Sequence, residues 1–356
     1  MTAYLIRRML QMVIVLIISS ITIYMLLNLA PGGPFDQLRT MSDRKSRVSE
    51  EQIDKMEALL GLNKPIQMRY IAWLLGDDWM GSINPEWEGD TRGVLRGDFG
   101  DSFRQKRPVM DMIRDRIPKT VALTAISALL AMIVAIPVGI YSAVRQYSRA
   151  DYVLTFFTFM GVAIPSFWFG LMSIIIFAQL FQSWGLPALP SGGWESLRTP
   201  REGTLLGVLG AEPGSFLDVG VHLILPIVVL SLLQMAGWTR YMRTSMLEVL
   251  QQDYVRTARA KGLAERFVVA KHALRNALIP LVTIVTYELP FIFGGTILIE
   301  QVFGIPGMGL LYIDALSGFD FPVTQAYLLI TAVLTVIATL LSDVLYTVVD
   351  PRIRLH

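Results

Sequence analysis

Val219-Gly-Val-His-Leu-Ile-Leu-Pro-Ile-Val-Val-Leu-Ser-Leu-Leu-Gln-Met-Ala-Gly-Trp238 runs for 20 residues without a formal charge, and the segment after it, 239–276, carries eight Lys or Arg. A helix rises about 1.5 Å per residue, so such a run covers the roughly 30 Å hydrocarbon core of a bilayer. The cationic segment beyond it cannot enter that core without a large cost. Five further runs share the apolar character: 9–30, 120–144, 152–184, 277–299 and 321–349. None shows the period-two alternation of a barrel strand, so helices are expected, each satisfying its own backbone in lipid. The fold class is therefore an all-α integral membrane protein with six transmembrane helices.

Composition agrees. Of 356 residues, 53% are hydrophobic and 17% charged, and the mean hydropathy is +0.51. A net charge of +2 argues against a nucleic-acid binder. The absence of cysteine removes disulfides, thiolate metal sites and cysteine nucleophiles. The three histidines, His222, His272 and His356, lie on separate segments, so no histidine-clustered metal site is expected. No His-Glu-x-x-His or Gly-x-Ser-x-Gly motif is present, which sets aside the common membrane hydrolases. Neither a catalytic residue nor a cofactor nor a metal ligand is expected.

Basic residues set the direction of threading. With the N-terminus inside, the inner segments 1–8, 145–151, 239–276 and 350–356 hold 14 Lys or Arg in 60 residues, and the outer loops 185–218 and 300–320 hold two in 55. Both termini are then cytoplasmic. The run at 9–30 is longer than a signal-peptide core and lacks an Ala-x-Ala exit, so it is expected as a retained helix. The domain order is 1–30 (cytoplasmic start and first span), 31–119 (an extracytoplasmic α-rich domain), 120–349 (five spans with a cytoplasmic loop at 239–276) and 350–356 (tail).

Segment 31–119 carries 15 basic and 15 acidic residues. Ser49-Glu50-Glu51-Gln52 reads as a capping box ahead of a helix through Leu60, closed by Gly61. A second helix is expected from Pro65 to Leu75, and 76–93, rich in Gly and Pro, as a loop or insertion. The segment is either a cap on the helix ends or a surface that meets an external partner.

In 239–276, Met246, Val249, Leu250, Tyr254 and Ala258 form one apolar stripe, and Gly262 stops that helix. Leu263, Phe267, Ala270 and Leu274 form a second stripe opposite Arg266, Lys271 and Arg275. Such a basic amphipathic pair either lies on anionic lipid or inserts into a cytoplasmic protein.

Tyr254-Val-Arg-Thr-Ala-Arg-Ala-Lys-Gly262 followed by Lys271-His-Ala-Leu-Arg-Asn-Ala-Leu-Ile-Pro280 resembles the cytoplasmic EAA loop of permease subunits in binding-protein-dependent ABC importers. It is most similar to the dipeptide, oligopeptide and nickel permease branch. The resemblance extends over nearly the whole chain through Tyr4-Leu-Ile-Arg-Arg8, Ala30-Pro-Gly-Gly-Pro34, Leu60-Gly-Leu-Asn-Lys-Pro65, Arg96-Gly-Asp-Phe-Gly-Asp-Ser102, Ile164-Pro-Ser-Phe167, Val302-Phe-Gly-Ile-Pro-Gly-Met-Gly309 and Asp350-Pro-Arg-Ile-Arg354. The chain departs from the general pattern where Arg256-Thr257-Ala258 replaces Glu-Ala-Ala and His272-Ala-Leu-Arg275 replaces Ile-x-Leu-Pro. An Arg at 256 seeks an acidic partner where a Glu would seek a basic one.

The resemblance implies the type I ABC importer permease fold in a bacterial-type cytoplasmic (inner) membrane. It implies a second homologous permease, cytoplasmic ATPase subunits, an extracytoplasmic binding protein, and peptides as substrate, with nickel chelates or another small solute as the alternative. The chain has no Gly-x-x-x-x-Gly-Lys-Ser/Thr to cradle ATP phosphates, so it is expected to be a non-catalytic subunit. By this resemblance Tyr254, Arg256, Thr257, Ala258, Arg259, Ala260, Lys261, Gly262, His272 and Arg275 form the ATPase coupling loop.

Glu288, in the middle of an apolar run, is expected at the translocation path or a partner interface, or as a hydrogen-bonding tie between helices. Asp343 is expected to pair with Arg352 or Arg354, and His222 to lie at the outer membrane interface. Gly304, Pro306, Gly307 and Gly309 are expected to shape an outer gate loop. A transporter driven by an ion gradient is the competing class, and it calls for paired intramembrane acids or an inverted repeat.

Overall fold

Apolar runs of spanning length become helices because lipid offers the backbone no other partner. The computed structural model describes residues 2–29, 64–288 and 296–349, and side chains within 6–29, 64–286 and 296–344. Among the described residues, six helices are long and apolar enough to cross a membrane: Ile6–Leu29, Val109–Val144, Ser166–Ser183, Phe216–Leu250, Glu265–Thr286 and Phe321–Val344. In chain order the helices are α1 (Thr2–Leu29), α2 (Ile66–Leu75), α3 (Val109–Val144), α4 (Arg149–Ala163) and α5 (Ser166–Ser183). They continue as α6 (Phe216–Leu250), α7 (Asp253–Ala260), α8 (265–288, with a π-helical stretch at Val268–Ala273), α9 (Ile297–Phe303), α10 (Met308–Ser317) and α11 (Phe321–Val349). No strand is formed among the described residues.

Four expected boundaries move. The second span starts at Val109, not 120. The run 152–184 is broken: Ile164 is extended (φ −82°, ψ 126°) ahead of Pro165, so the helix stops and restarts at Ser166. Proline disfavours helical backbone in the residue before it and supplies no N–H of its own. The fourth helix does not end at Trp238. It continues to Leu250 because Thr239, Met242, Ser245 and Met246 keep one face buried while Arg240 and Tyr241 stay exposed. The fifth run is interrupted near its end, since Thr296 is a turn residue that caps α9 and Ile297–Ile299 belong to that helix. The capping box, the helix after it, the motifs at 30–34 and 350–354, and the arginines expected to pair with Asp343 lie outside the described residues.

Two compact bodies make up the chain: residues 1–117 with 311–336, and residues 118–310 with 337–356. In the first, the Ser20 hydroxyl hydrogen-bonds the Tyr70 hydroxyl at 2.8 Å, and the rings of Tyr24, Tyr70 and Trp73 join α1 to α2. The buried Asp320 carboxylate accepts from the Ser102 hydroxyl and from the Phe103 N–H (3.0 Å), tying the 93–108 loop to the start of α11. The ends of 76–93 meet: a Cβ on Gly93, itself at φ +79°, would lie 2.2 Å from the Gly76 nitrogen.

In the second body α6 is central. One of its faces packs Trp238, Met242 and Met246 against Ala131, Ala135 and Ala143 of α3 and Ala273, Ala277 and Leu281 of α8. Small residues on α3 and α8 let the backbones approach closely. At Gly139 the fit is tight enough that a Cβ would come within 2.6 Å of the Met242 Cβ. The other end of α6 packs Leu223, Leu225, Val229 and Leu230 against Leu123, Ile299, Phe303 and Ile305. Interhelical bonds from the Ser231 hydroxyl to Ser127 O (3.1 Å) and from the Ser245 hydroxyl to Ala277 O (2.8 Å) fix the helix positions.

Candidate functional site

The basic segment folds into an elbow built from the ends of three helices. After Leu250 the chain breaks at Gln251-Gln252 and re-enters helix at Asp253. Val255 and Ala258, three apart on α7, turn inward onto Val268, with Val249 and Leu250 beside them. Gly262 then reverses the chain at φ +76°, with nothing within 4 Å of where a Cβ would sit. The glycine is required by the backbone, not by crowding. Arg259 clamps this turn: its Nε and Nη2 donate to Glu265 at 3.1 and 2.7 Å. The Asn276 amide donates to the Tyr254 hydroxyl at 2.8 Å, fastening α7 to α8.

These bonds bring Tyr254, Ala258, Arg259 and Gly262 into one rigid piece, while Arg256, Thr257, Ala260, Lys261 and Arg275 project outward and His272 is half-buried. Arg256 has Asp253 3.8 Å away, both strongly exposed, so its expected acidic partner within the chain is a weak local one. The second predicted stripe is corrected. Leu263, Phe267 and Ala270 are exposed and Leu274 is partly so, and the buried face is Val268, Ala273 and Ala277. The π-helical stretch at 268–273 adds a residue to the turn and rotates the stripe off the face that regular spacing assigns to it. Phe267 is thereby left 54% exposed at the elbow's surface, with the Arg266 guanidinium 5.3 Å from its ring centroid.

The second feature is the hairpin of α9 and α10, bent by 86°. Gly304 closes α9 in the left-handed conformation (φ +59°). Gly304, Pro306 and Gly307 lie in the turn between the two helices, and Gly309 lies inside α10. Its role, like that of Gly307, is steric, since a Cβ at either position would come within 3.0 Å of the Glu300 carboxylate. Glu300 is fully buried and accepts from the Thr120 hydroxyl (2.7 Å), the Thr296 hydroxyl (3.0 Å) and the Leu310 N–H (2.9 Å). Thr120 Oγ1 accepts in turn from the Met308 N–H at 2.8 Å. One carboxylate thus locks both arms of the hairpin to α3.

Sequence reasoning missed Glu300, whose partners lie up to 180 residues away. It also missed Asp151, buried and bound by Arg243 (3.0 Å), Ser142 and the Tyr147 N–H (2.9 Å). His222 is buried against protein: it is 5% exposed, with Nδ1 3.2 Å from Asp218, itself fully buried beneath Ser196 and Gly214. The only warning in the sequence was an acid at the edge of an apolar run. Glu288 is the last residue of α8, and its side chain lies outside those described.

Residues 135–355 match the family model described as binding-protein-dependent transport system inner membrane component, and residues 1–124 match its N-terminal counterpart. The chain belongs to this family of inner membrane transport components. Among its relatives, the oligopeptide transport system permease protein AppB of Bacillus subtilis (strain 168) is 40% identical over 356 residues, covering 99% of this chain and 100% of the relative. The dipeptide transport system permease protein DppB of Escherichia coli (strain K12) is 33% identical over 360 residues, covering 99% of each. The inward-facing MetNI methionine ABC transporter superposes with a TM-score of 0.51 over 68% of this chain and 98% of that one; at 18% identity it supports the fold alone. In this family member, the elbow falls inside the region matched by the principal family model.

Proposed function

We propose that this chain is a permease subunit of an ATP-driven importer of peptides, and that the elbow 247–276 is its mechanical link to separate ATPase subunits. The reading rests first on similarity along the full chain to proteins named as oligopeptide and dipeptide permeases. The observation that carries the mechanism is the elbow itself. It is internally fastened by Arg259–Glu265, Tyr254–Asn276 and the Val255–Ala258–Val268 core, yet Leu263, Phe267 and the side chains of Arg256, Lys261, Arg266, Lys271 and Arg275 stay exposed on its surface. A fastened knob transmits force, whereas a loose loop dissipates it. Because α8 runs without interruption from the elbow into the fifth apolar segment, displacement of the knob moves that helix directly. Closing ATPase subunits bias the permease between inward- and outward-facing states through contacts that differ between the two.

A second, homologous permease completes the path, an extracytoplasmic binding protein delivers the peptide, and both termini lie in the cytoplasm. The outer-gate role of the α9–α10 hairpin belongs to the same picture, with Glu300 fixing its geometry. The chain has no cysteine, so Phe267→Cys supplies a single thiol on the knob. In the assembled complex that thiol is expected to cross-link to the ATPase subunit, and peptide uptake into proteoliposomes is expected to require ATP. Uptake driven by an ion gradient alone, or a thiol that reacts only with water-soluble reagents in the working complex, overturns the proposal.

A further inference from the structure

Where α4 and α6 pack together, a cavity of about 150 Å³ opens beside the end of the apolar run 219–238. Thr155, Thr158, Phe159 and Val162 line one wall at helical spacing, and Arg240 and Arg243 stand on the other. Successive turns from 155 to 162 extend the wall by about 10 Å at 1.5 Å per residue. Its surface is chiefly apolar.

Among the described residues, the cationic end is only partly neutralised. Asp151 is the acidic group beside it, and its carboxylate is already taken up by Ser142, the Tyr147 N–H and Arg243 Nη2. Arg243 Nε is buried with no acceptor. Arg240 is exposed, its guanidinium 5.6 Å from the Tyr241 ring centroid. One positive charge is therefore left over at the mouth. Tyr152 and Tyr241, 64% and 44% exposed, stand next in sequence to Asp151 and Arg240, and exposed aromatic residues of this kind are enriched at membrane–water interfaces.

We propose that this groove seats one anionic phospholipid, with its phosphate at Arg240 and an acyl chain along Thr158, Phe159 and Val162. A basic pocket between helices at headgroup depth, opening onto an apolar wall, matches both halves of such a lipid. A zwitterionic lipid fits the wall but brings a second cation to the arginines. A peptide or a soluble phosphate lacks the chain that fills the wall.

The test uses the assembled complex and native mass spectrometry, with phosphatidylglycerol and phosphatidylcholine of identical chains offered in competition. The wild type is expected to retain phosphatidylglycerol selectively. Arg240→Ala is expected to lower that retention about fivefold, the value of roughly one surface cation, with phosphatidylcholine unchanged, and Arg240→Lys to preserve it. Val162→Trp, which fills the wall, is expected to reduce both lipids. Arg145→Ala, an exposed arginine outside the groove, is expected to change neither. Because Arg240 is exposed, its variants test the site without disturbing the Asp151–Arg243 pair. Equal retention of phosphatidylglycerol by the wild type and Arg240→Ala, an equal loss in Arg145→Ala, or a helix of another subunit found in the groove overturns the assignment.

Discussion

Gly262 turns the chain between α7 and α8 at φ +76°, and a Cβ there would meet nothing within 4 Å. Replacement by Ala therefore adds backbone strain without a clash. Left-handed backbone costs an L-residue roughly 1–2 kcal/mol, about a 5- to 30-fold loss in the population of the formed turn. The Arg259–Glu265 pair across the turn is half-exposed and, as a surface pair, supplies about 0.2–1 kcal/mol, too little to offset that cost. Asn tolerates the left-handed region better than Ala. Trp carries about the strain of Ala but projects its ring into the open space where a partner would sit. Peptide uptake and ATP hydrolysis, measured together in proteoliposomes at equal incorporation, are expected to give coupling in the order Gly, Asn, Ala, Trp. The isolated chain is expected to lose stability equally with Ala and Trp. Wild-type coupling in Gly262→Trp refutes the coupling knob. Identical coupling in Ala and Trp refutes contact between the tip of the turn and the ATPase.

Exchanging the clamp, Arg259→Glu with Glu265→Arg, is expected to restore much of the coupling that either single reversal removes, read as uptake per ATP hydrolysed. Failure of the exchange would assign Arg259 to an intermolecular contact. Glu300→Ala leaves the Leu310 N–H and two buried hydroxyls without their acceptor and is expected to destabilise the protein by about 3–9 kcal/mol, since each orphaned group costs roughly 1–3 kcal/mol. Glu300→Gln, with its amide oxygen toward Leu310 and its NH₂ toward the hydroxyls, is expected to cost much less, as read from unfolding in detergent. In the outer segment, burial pushes the Asp77 carboxyl up, but hydrogen bonds from Lys64 (2.8 Å) and from the Thr91 hydroxyl and N–H hold it below its ordinary value. The folded state thus binds that proton less readily than the unfolded chain does. The stabilisation is complete above the ordinary aspartate value near pH 4 and fades as the pH falls through the lower folded value. Hydrogen exchange at the Thr91 amide is expected to accelerate over that window. In Lys64→Met it is expected to accelerate at higher pH, and an unshifted profile would remove Asp77 as the organising group.

Apolar length and charge asymmetry are one-dimensional properties, so the sequence alone determined the membrane class, the number of spans and the position of the basic elbow. A bilayer reads them residue by residue, whatever the chain's neighbours are. The motifs from Tyr254 to Pro280 and from Val302 to Gly309 likewise carried the family, because they stand in order along the chain. Where helices stop was legible only when a local breaker decided it, as at Gly262 and Gly304. At Ile164-Pro165 the breaker was visible, but the apolar run concealed its effect. Packing alone decided the rest. The fourth helix outruns its apolar run because α3 and α8 bury Met242 and Met246. The π-helical stretch at 268–273 turns Phe267 outward in spite of its spacing. Glu300 acquires a purpose only when Thr120, 180 positions earlier, is folded against it. A hydrogen bond or a packed face between distant segments leaves no period in the sequence, since both depend on distances that exist only after the chain has folded.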